Sequence, residues 1–119
     1  MNSKVFIGLP AYNEEKALPA VLEKIQYVRE SIDQPLEVIV INDGSTDGTR
    51  RVLDEYSKKY DYIRSIHHET NRGLGAAINT LFHTVIKYAN DEDLLVTMDA
   101  DNTHNPSHII DMIKKMNEE

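Results

Sequence analysis

The sequence predicts an α/β protein, a three-layer α/β/α sandwich built on a mainly parallel sheet. Two patterns along its 119 residues carry that prediction. Four short apolar runs alternate with four longer segments whose apolar positions recur at three- and four-residue steps, giving the order β-α-β-α-β-α-β-α. Glycines and polar residues gather directly after the apolar runs, where a parallel sheet binds ligands beyond the carboxyl ends of its strands. The length fits one domain, able to bury roughly two-thirds of the surface its unfolded chain exposes.

Residues 4–9 (KVFIGL) read as a buried strand ending in Pro10, a residue suited to leaving a sheet. A helix is expected from 14 to about 31, its stripe formed by Leu18, Val21, Leu22, Ile25, Val28 and Ile32. Pro19 would cost about 3 kcal/mol inside that helix. A start near Ala17, with the proline in the first turn, resolves the conflict. Residues 36–41 (LEVIVI) are nearly continuously apolar and β-branched, as in a central parallel strand covered on both faces. A second helix is expected from Asp47 to about 59, capped by Ser45 or Thr46. Residues 62–66 give a third, shorter strand, 73 to about 89 a third helix, and 93–98 (DLLVTM) a fourth strand. Asn105 and Pro106 mark the start of the last helix as cap and first-turn proline, and Ile109, Ile110, Met112, Ile113 and Met116 give it an apolar stripe.

Composition removes several functions. There is no cysteine, so disulfides, thiolate zinc sites and cysteine nucleophiles are out. The net charge of −7 argues against duplex nucleic acid, which needs basic residues to replace counterions. No apolar run approaches the roughly 20 residues needed to cross a bilayer, and the start MNSKVFIGLP is no signal peptide. A soluble, intracellular, acidic domain is the expectation.

Four loops at the strand ends hold the chemistry-bearing residues. Asp99 and Asp101 follow a buried strand, and a backbone bend can turn both toward one point, where a hard cation such as Mg²⁺ or Mn²⁺ takes carboxylate oxygens. A solvated turn is the plain alternative. In the segment 42–49 (NDGSTDGT), Gly44 permits a tight turn, and Asp43 can accept the ring N–H of uracil or guanine. In 10–15 (PAYNEE), Tyr12 can lie against a planar base, while Asn13 or Glu14 can bond a ribose or ring edge; Asn13 can equally cap the helix. In 71–77 (NRGLGAA), Arg72 can face a phosphate. That segment is no dinucleotide fingerprint, because position 78 is Ile where a third glycine belongs, and polar 67–70 separate it from the third strand. No phosphate-binding Gly-x-x-x-x-Gly-Lys run occurs. Of His67, His68, His83, His104 and His108, none forms the zinc-protease pair at i,i+4 with Glu between. His104 and His108 are four apart and near the aspartates, but Pro106 starts a helix between them, and His104 is a stronger candidate for a ligand contact than the other four.

Taken together, PAYNEE, VINDGSTDGT, NRGLGAA and MDADNTHNP resemble, in order, the family 2 glycosyltransferases of the GT-A (Rossmann-like) fold, in the flavour of the dolichyl- or polyprenyl-phosphate mannosyl- and glucosyltransferases. The resemblance implies that Pro10, Tyr12 and Glu14 line a nucleoside pocket and that Asp43 bonds the base. Gly44, Arg72 and Ala100 complete the nucleotide-binding set. Asp99 and Asp101 would serve as catalytic metal ligands, holding Mg²⁺ or Mn²⁺ against the diphosphate. Asn42 departs from the pattern, which usually carries Asp there. The 119 residues also fall short of a whole GT-A domain, so residues 1–119 correspond to its nucleotide-sugar-binding half, without the acceptor-binding half.

The implied function is transfer of a hexose from a GDP- or UDP-sugar to polyprenyl or dolichyl phosphate, or to a glycan. The alternative is a nucleotide-sugar-binding module without turnover of its own. A sugar-nucleotide pyrophosphorylase would need a glycine-rich, Arg-containing loop after the first strand, and PAYNEE is not one. A homodimer or partner chain is expected to cover the shortened sheet. The expected location is cytoplasmic, at the membrane face if the acceptor is a lipid.

Overall fold

The computed structural model describes residues 3–101 and 106–117. Its elements run β1 (Val5–Ala11), α1 (Leu18–Ser31), β2 (Leu36–Asp43), α2 (Thr49–Lys59), β3 (Ile63–His68), α3 (Leu74–Tyr88), β4 (Leu94–Thr97) and α4 (Pro106–Asn117). The four strands form one sheet in the order β3-β2-β1-β4, and every pairing is parallel.

The two-residue period of a strand divides the side chains between two cores. Val5, Ile7, Leu9 and Ala11 of β1, with Leu36, Val38 and Val40 of β2, face the larger core, closed by α1, α2 and α4. Phe6, Ile39 and Ile41 face the smaller one beneath Ala77, Leu81 and Val85 of α3. This is why LEVIVI lacks polar alternation: both of its faces are covered.

Three strands run further at their carboxyl ends than apolar content predicts, whereas β4, expected over 93–98, is shorter at Leu94–Thr97. β1 continues through Pro10 to Ala11, paired with Ile41 and Asn42. Pro10 points to the same side as Gly8, whose carbonyl accepts the Met98 N–H at 3.0 Å. The last β1–β4 pair is Gly8 with Thr97, so Pro10 has no β4 partner there and forfeits no ladder bond. β2 continues to Asp43 and β3 to His68, which makes those two polar residues register partners.

Helix α1 starts at Leu18 with Pro19 in its first turn, as its sequence requires. Helix α2 differs from expectation: it starts at Thr49, and Gly48, not Ser45 or Thr46, holds the N-cap position. Carboxylates take over the capping. The Thr49 N–H donates to Asp47 Oδ1 and the Gly48 N–H to Glu15 Oε1, each at 2.9 Å. The expected Asn105 cap, His104 and the Met116 side chain lie outside the described residues.

Candidate functional site

The loops after β1 and β2 are stitched together by short polar side chains. Asn13 adopts φ 53°, a left-handed conformation that Asn tolerates better than most residues. Its Oδ1 accepts the Thr46 N–H at 2.8 Å, and its own N–H donates to Ser45 Oγ at 3.0 Å. Asn13 therefore does not cap α1, where Ala17 stands. The neighbouring Glu14 N–H donates to the fully buried Thr49 Oγ1 at 3.0 Å. Ser45 and Thr46 are thus spent on joining two loops.

Asn42 belongs to the same network. Its Oδ1 accepts from Ser45, and its Nδ2 lies 3.0 Å from His67 Nδ1. Burial lowers the His67 pKa, helped by the Arg50 charge, against a smaller upward pull from Asp54. A neutral imidazole offers Nδ1 as an acceptor, which an amide can satisfy and an ionised carboxylate cannot. Asn42 thus fits its neighbour where an Asp would not.

Asp43 occupies the opposite face of β2, toward α3, and is 4% exposed. Its Oδ1 accepts the Arg72 N–H at 3.0 Å and lies 2.8 Å from His68 Nδ1; its Oδ2 accepts the Gly73 N–H at 2.9 Å. His68 Nε2 in turn meets Thr80 Oγ1 of α3 at 2.8 Å. Burial by itself raises the Asp43 pKa, but the His68 ring and the two amides outweigh it and hold the carboxyl below its usual range. Asp43 is an anion at neutral pH.

Gly44 brings the third loop to this carboxylate. It has φ +69°, and a Cβ there would sit 2.2 Å from backbone atoms of Thr70 and Asn71. Only glycine lets the β3–α3 backbone approach closely enough for its amides to reach Asp43. Gly73, at φ +95°, aims the last of those amides.

Beside Asp43 lies a cavity of about 250 Å³ bounded by Pro10, Tyr12, Glu14, Asn71, Gly73 and Ala77, among others. Four residues singled out from sequence, Pro10, Tyr12, Glu14 and Asp43, meet on its wall. Gly44 and Arg72 adjoin it through the backbone and are not on its wall. Ala100 is 3% exposed and packs in the larger core, between exposed Asp99 and Asp101. Desolvation raises the Glu14 pKa, and the charges of Asp101 and Asp47 raise it further, so Asp101 and Glu14 share one negative field. Among the described residues no cluster of three or more His, Asp or Glu surrounds a single cation position. An ion held here needs oxygens from its ligand as well, and two carboxylates plus a diphosphate make such a set. That donor set fits Mg²⁺ or Mn²⁺.

His68, Thr80 and Asn71 were not expected to belong to the site. The signal for His68 was strand parity: if β3 extends two residues past Ile66, His68 lands beside Asp43 on the α3 face.

The profile of glycosyl transferase family 2 matches residues 6–119. Undecaprenyl-phosphate 4-deoxy-4-formamido-L-arabinose transferase of Proteus mirabilis (strain HI4320) is 33% identical over 108 residues, which are 90% of this chain and 32% of that protein. The protein of the same name from Salmonella choleraesuis (strain SC-B67) is 33% identical over 116 residues, 97% of this chain and 34% of its own length. The chain thus spans about a third of these relatives. Among solved structures, S. aureus TarS 1-349 in complex with UDP superposes with a TM-score of 0.74 at 25% identity, covering 97% of this chain and 32% of that one. The mannosyltransferase PcManGT from Pyrobaculum calidifontis, in complex with GDP-Man and Mn²⁺, gives 0.68 at 25% identity over 85% of this chain and 28% of its own. A parallel sheet with its polar loops gathered around Asp43, and a family profile reaching from the first strand to the last residue, place this chain in glycosyl transferase family 2, with the GT-A fold.

Proposed function

We propose that this chain binds a nucleotide-sugar and forms the donor-binding part of a transferase that moves a hexose to a polyprenyl phosphate. The observation that carries the reading is the cavity where Pro10, Tyr12, Glu14 and Asp43 converge, with Asp101 in the same field as Glu14. Asp43 accepts the ring N–H of the base, and Tyr12, 45% exposed at the rim, lies against its face. Asp99 and Asp101, exposed at the end of β4, would hold a divalent cation against the diphosphate. That cation would offset the negative charge that grows on the departing nucleoside diphosphate. An acceptor phosphate is already an anion at neutral pH, so its attack on the sugar carbon needs no protein base. The relatives' name, which specifies undecaprenyl phosphate, supports that acceptor class.

A second reading is a donor-binding module without turnover by itself, favoured because the chain spans about a third of its relatives. The two separate in one experiment. UDP- and GDP-sugars are titrated with and without Mn²⁺, and transfer to a polyprenyl phosphate is then assayed. Binding with transfer supports the enzyme, cation-dependent binding without transfer supports the module, and no binding by the folded chain defeats both.

The family's chemistry favours a cytoplasmic place at the membrane face, and among the described residues no helix is long and apolar enough to cross a membrane. We further propose that a second copy covers the β4 edge, which carries no further strand among the described residues, and the exposed Phe82 and Ile86 of α3. Sedimentation velocity should then show a dimer, and a strict monomer would contradict it.

A further inference from the structure

The hydrogen bonds around Asp43 can be counted against what a carboxylate can accept. An ionised carboxylate has about four acceptor positions, two on each oxygen. Both positions on Oδ1 are taken, by the Arg72 N–H at 3.0 Å and by His68 Nδ1 at 2.8 Å. Because an ionised carboxylate has no proton to give, His68 Nδ1 must carry one and donate it. On Oδ2 the Gly73 N–H takes one position at 2.9 Å, which leaves one. His68 is held in this orientation from behind, since Nε2 contacts Thr80 Oγ1 while that hydroxyl also donates to the Ala76 carbonyl at 3.1 Å. The His68 side chain is 6% exposed, so water does not compete for the pair.

We infer that His68 is a positioning residue that fills Asp43 Oδ1 and so makes the cavity selective for a base with a single ring N–H, a uracil nucleotide, over guanine. This rests on the nucleotide reading of the cavity. Guanine presents N1–H and N2–H side by side and binds a carboxylate best through both oxygens. Here it meets one remaining acceptor and leaves a donor unpaired, which is costly in a buried site. Uracil presents one N–H between two carbonyls. It needs one acceptor flanked by donors, and Asn71 on the same wall carries an amide donor. Cytosine has a lone pair where uracil has N3–H, so the carboxylate repels it. Without His68, Oδ1 regains an acceptor position and the two-point contact to guanine becomes possible.

The test is equilibrium binding of UDP, GDP and CDP, with Mg²⁺, to the full 119-residue chain and to His68→Ala and His68→Asn, each checked for folding by thermal unfolding. Asn keeps a donor near the Nδ1 position, whereas Ala removes it. UDP should bind the unaltered chain at least about tenfold more tightly than GDP or CDP. His68→Ala should shrink the UDP:GDP ratio severalfold, and His68→Asn should restore it. A purely structural histidine would weaken all nucleotides together and leave the ratio alone, which overturns the inference. So does GDP binding as tightly as UDP in the unaltered chain, while the nucleotide reading survives. If His68→Ala does not fold, the unaltered chain and His68→Asn decide, since both must prefer UDP. Binding of no nucleotide defeats the nucleotide reading itself, and this inference with it.

Discussion

Asn42 and Asp43 are adjacent in sequence and face opposite sides of β2, and each is explained by a histidine at the end of β3. Asn42 meets His67 as an amide facing a neutral ring. Asn42→Asp would place a carboxylate 3.0 Å from that ring, an arrangement that favours imidazolium. The His67 pKa should rise from below its ordinary 6.5 to above it, as followed by NMR titration; an unmoved value contradicts the pairing. Asp43→Asn acts differently. It replaces one acceptor oxygen with an NH₂ group facing an N–H or the His68 ring, at a cost of about 1–3 kcal/mol in folding stability, measurable by denaturant unfolding. A variant as stable as the parent would show that the Arg72 and Gly73 amides do not depend on this carboxylate. Sequence reasoning found Asp43 because its residue type and place after an apolar strand are informative. It missed His68 because a polar residue at a strand end looks like loop, and only the register with Asp43 shows otherwise.

At the scale of elements, the loops that build the site depend on close backbone approach more than on side-chain packing. Gly44→Ala imposes an unfavourable positive φ and drives a Cβ into Thr70 and Asn71 backbone. It should cost at least about 2 kcal/mol, and it should move the 69–73 loop away from Asp43. Unchanged stability would mean that the two loops do not need this contact. The helices and strand cores were legible because hydrophobic periodicity fixes them: the stripe from Leu18 to Val28 and the run LEVIVI each fall where burial demands. Helix α2 was misjudged at its start for a different reason. Ser45 and Thr46 are good caps by type, but Asn13, distant in sequence, engages both, and Asn42 also takes the Ser45 hydroxyl. Local propensity carries no information about such partners.

The whole molecule should be acid-sensitive in two stages. His67 has a lowered pKa in the fold, so the unfolded chain takes up a proton first and stability begins to fall as pH drops below 6.5. Asp43, Asp47 and Asp93 are also lowered; their contribution is present above 3.8 and is lost as pH falls through their depressed folded values. Glu14 works in the opposite sense: its cost is absent below 4.5 and develops as pH rises through its raised folded value. Chemical denaturation across this pH range should show a net decline toward acid, and a flat profile contradicts the assignment. Asp93 matters for architecture because its carboxylate accepts the Lys4 N–H at 2.8 Å and the Asn90 N–H at 2.9 Å, pinning the start of β4 to β1. The element order was readable from hydrophobic periodicity and the family from four motifs, while the pairing of the strand ends was not. The central claim is that a nucleotide sits at those ends, against Asp43. Amide chemical-shift mapping with UDP and Mg²⁺ tests it most directly. Perturbations should concentrate at Ala11, Tyr12, Glu14, Asp43, Gly73, Asp99 and Asp101; a response at the amino-terminal end of the sheet, or none at saturating nucleotide, would rule out a nucleotide at Asp43.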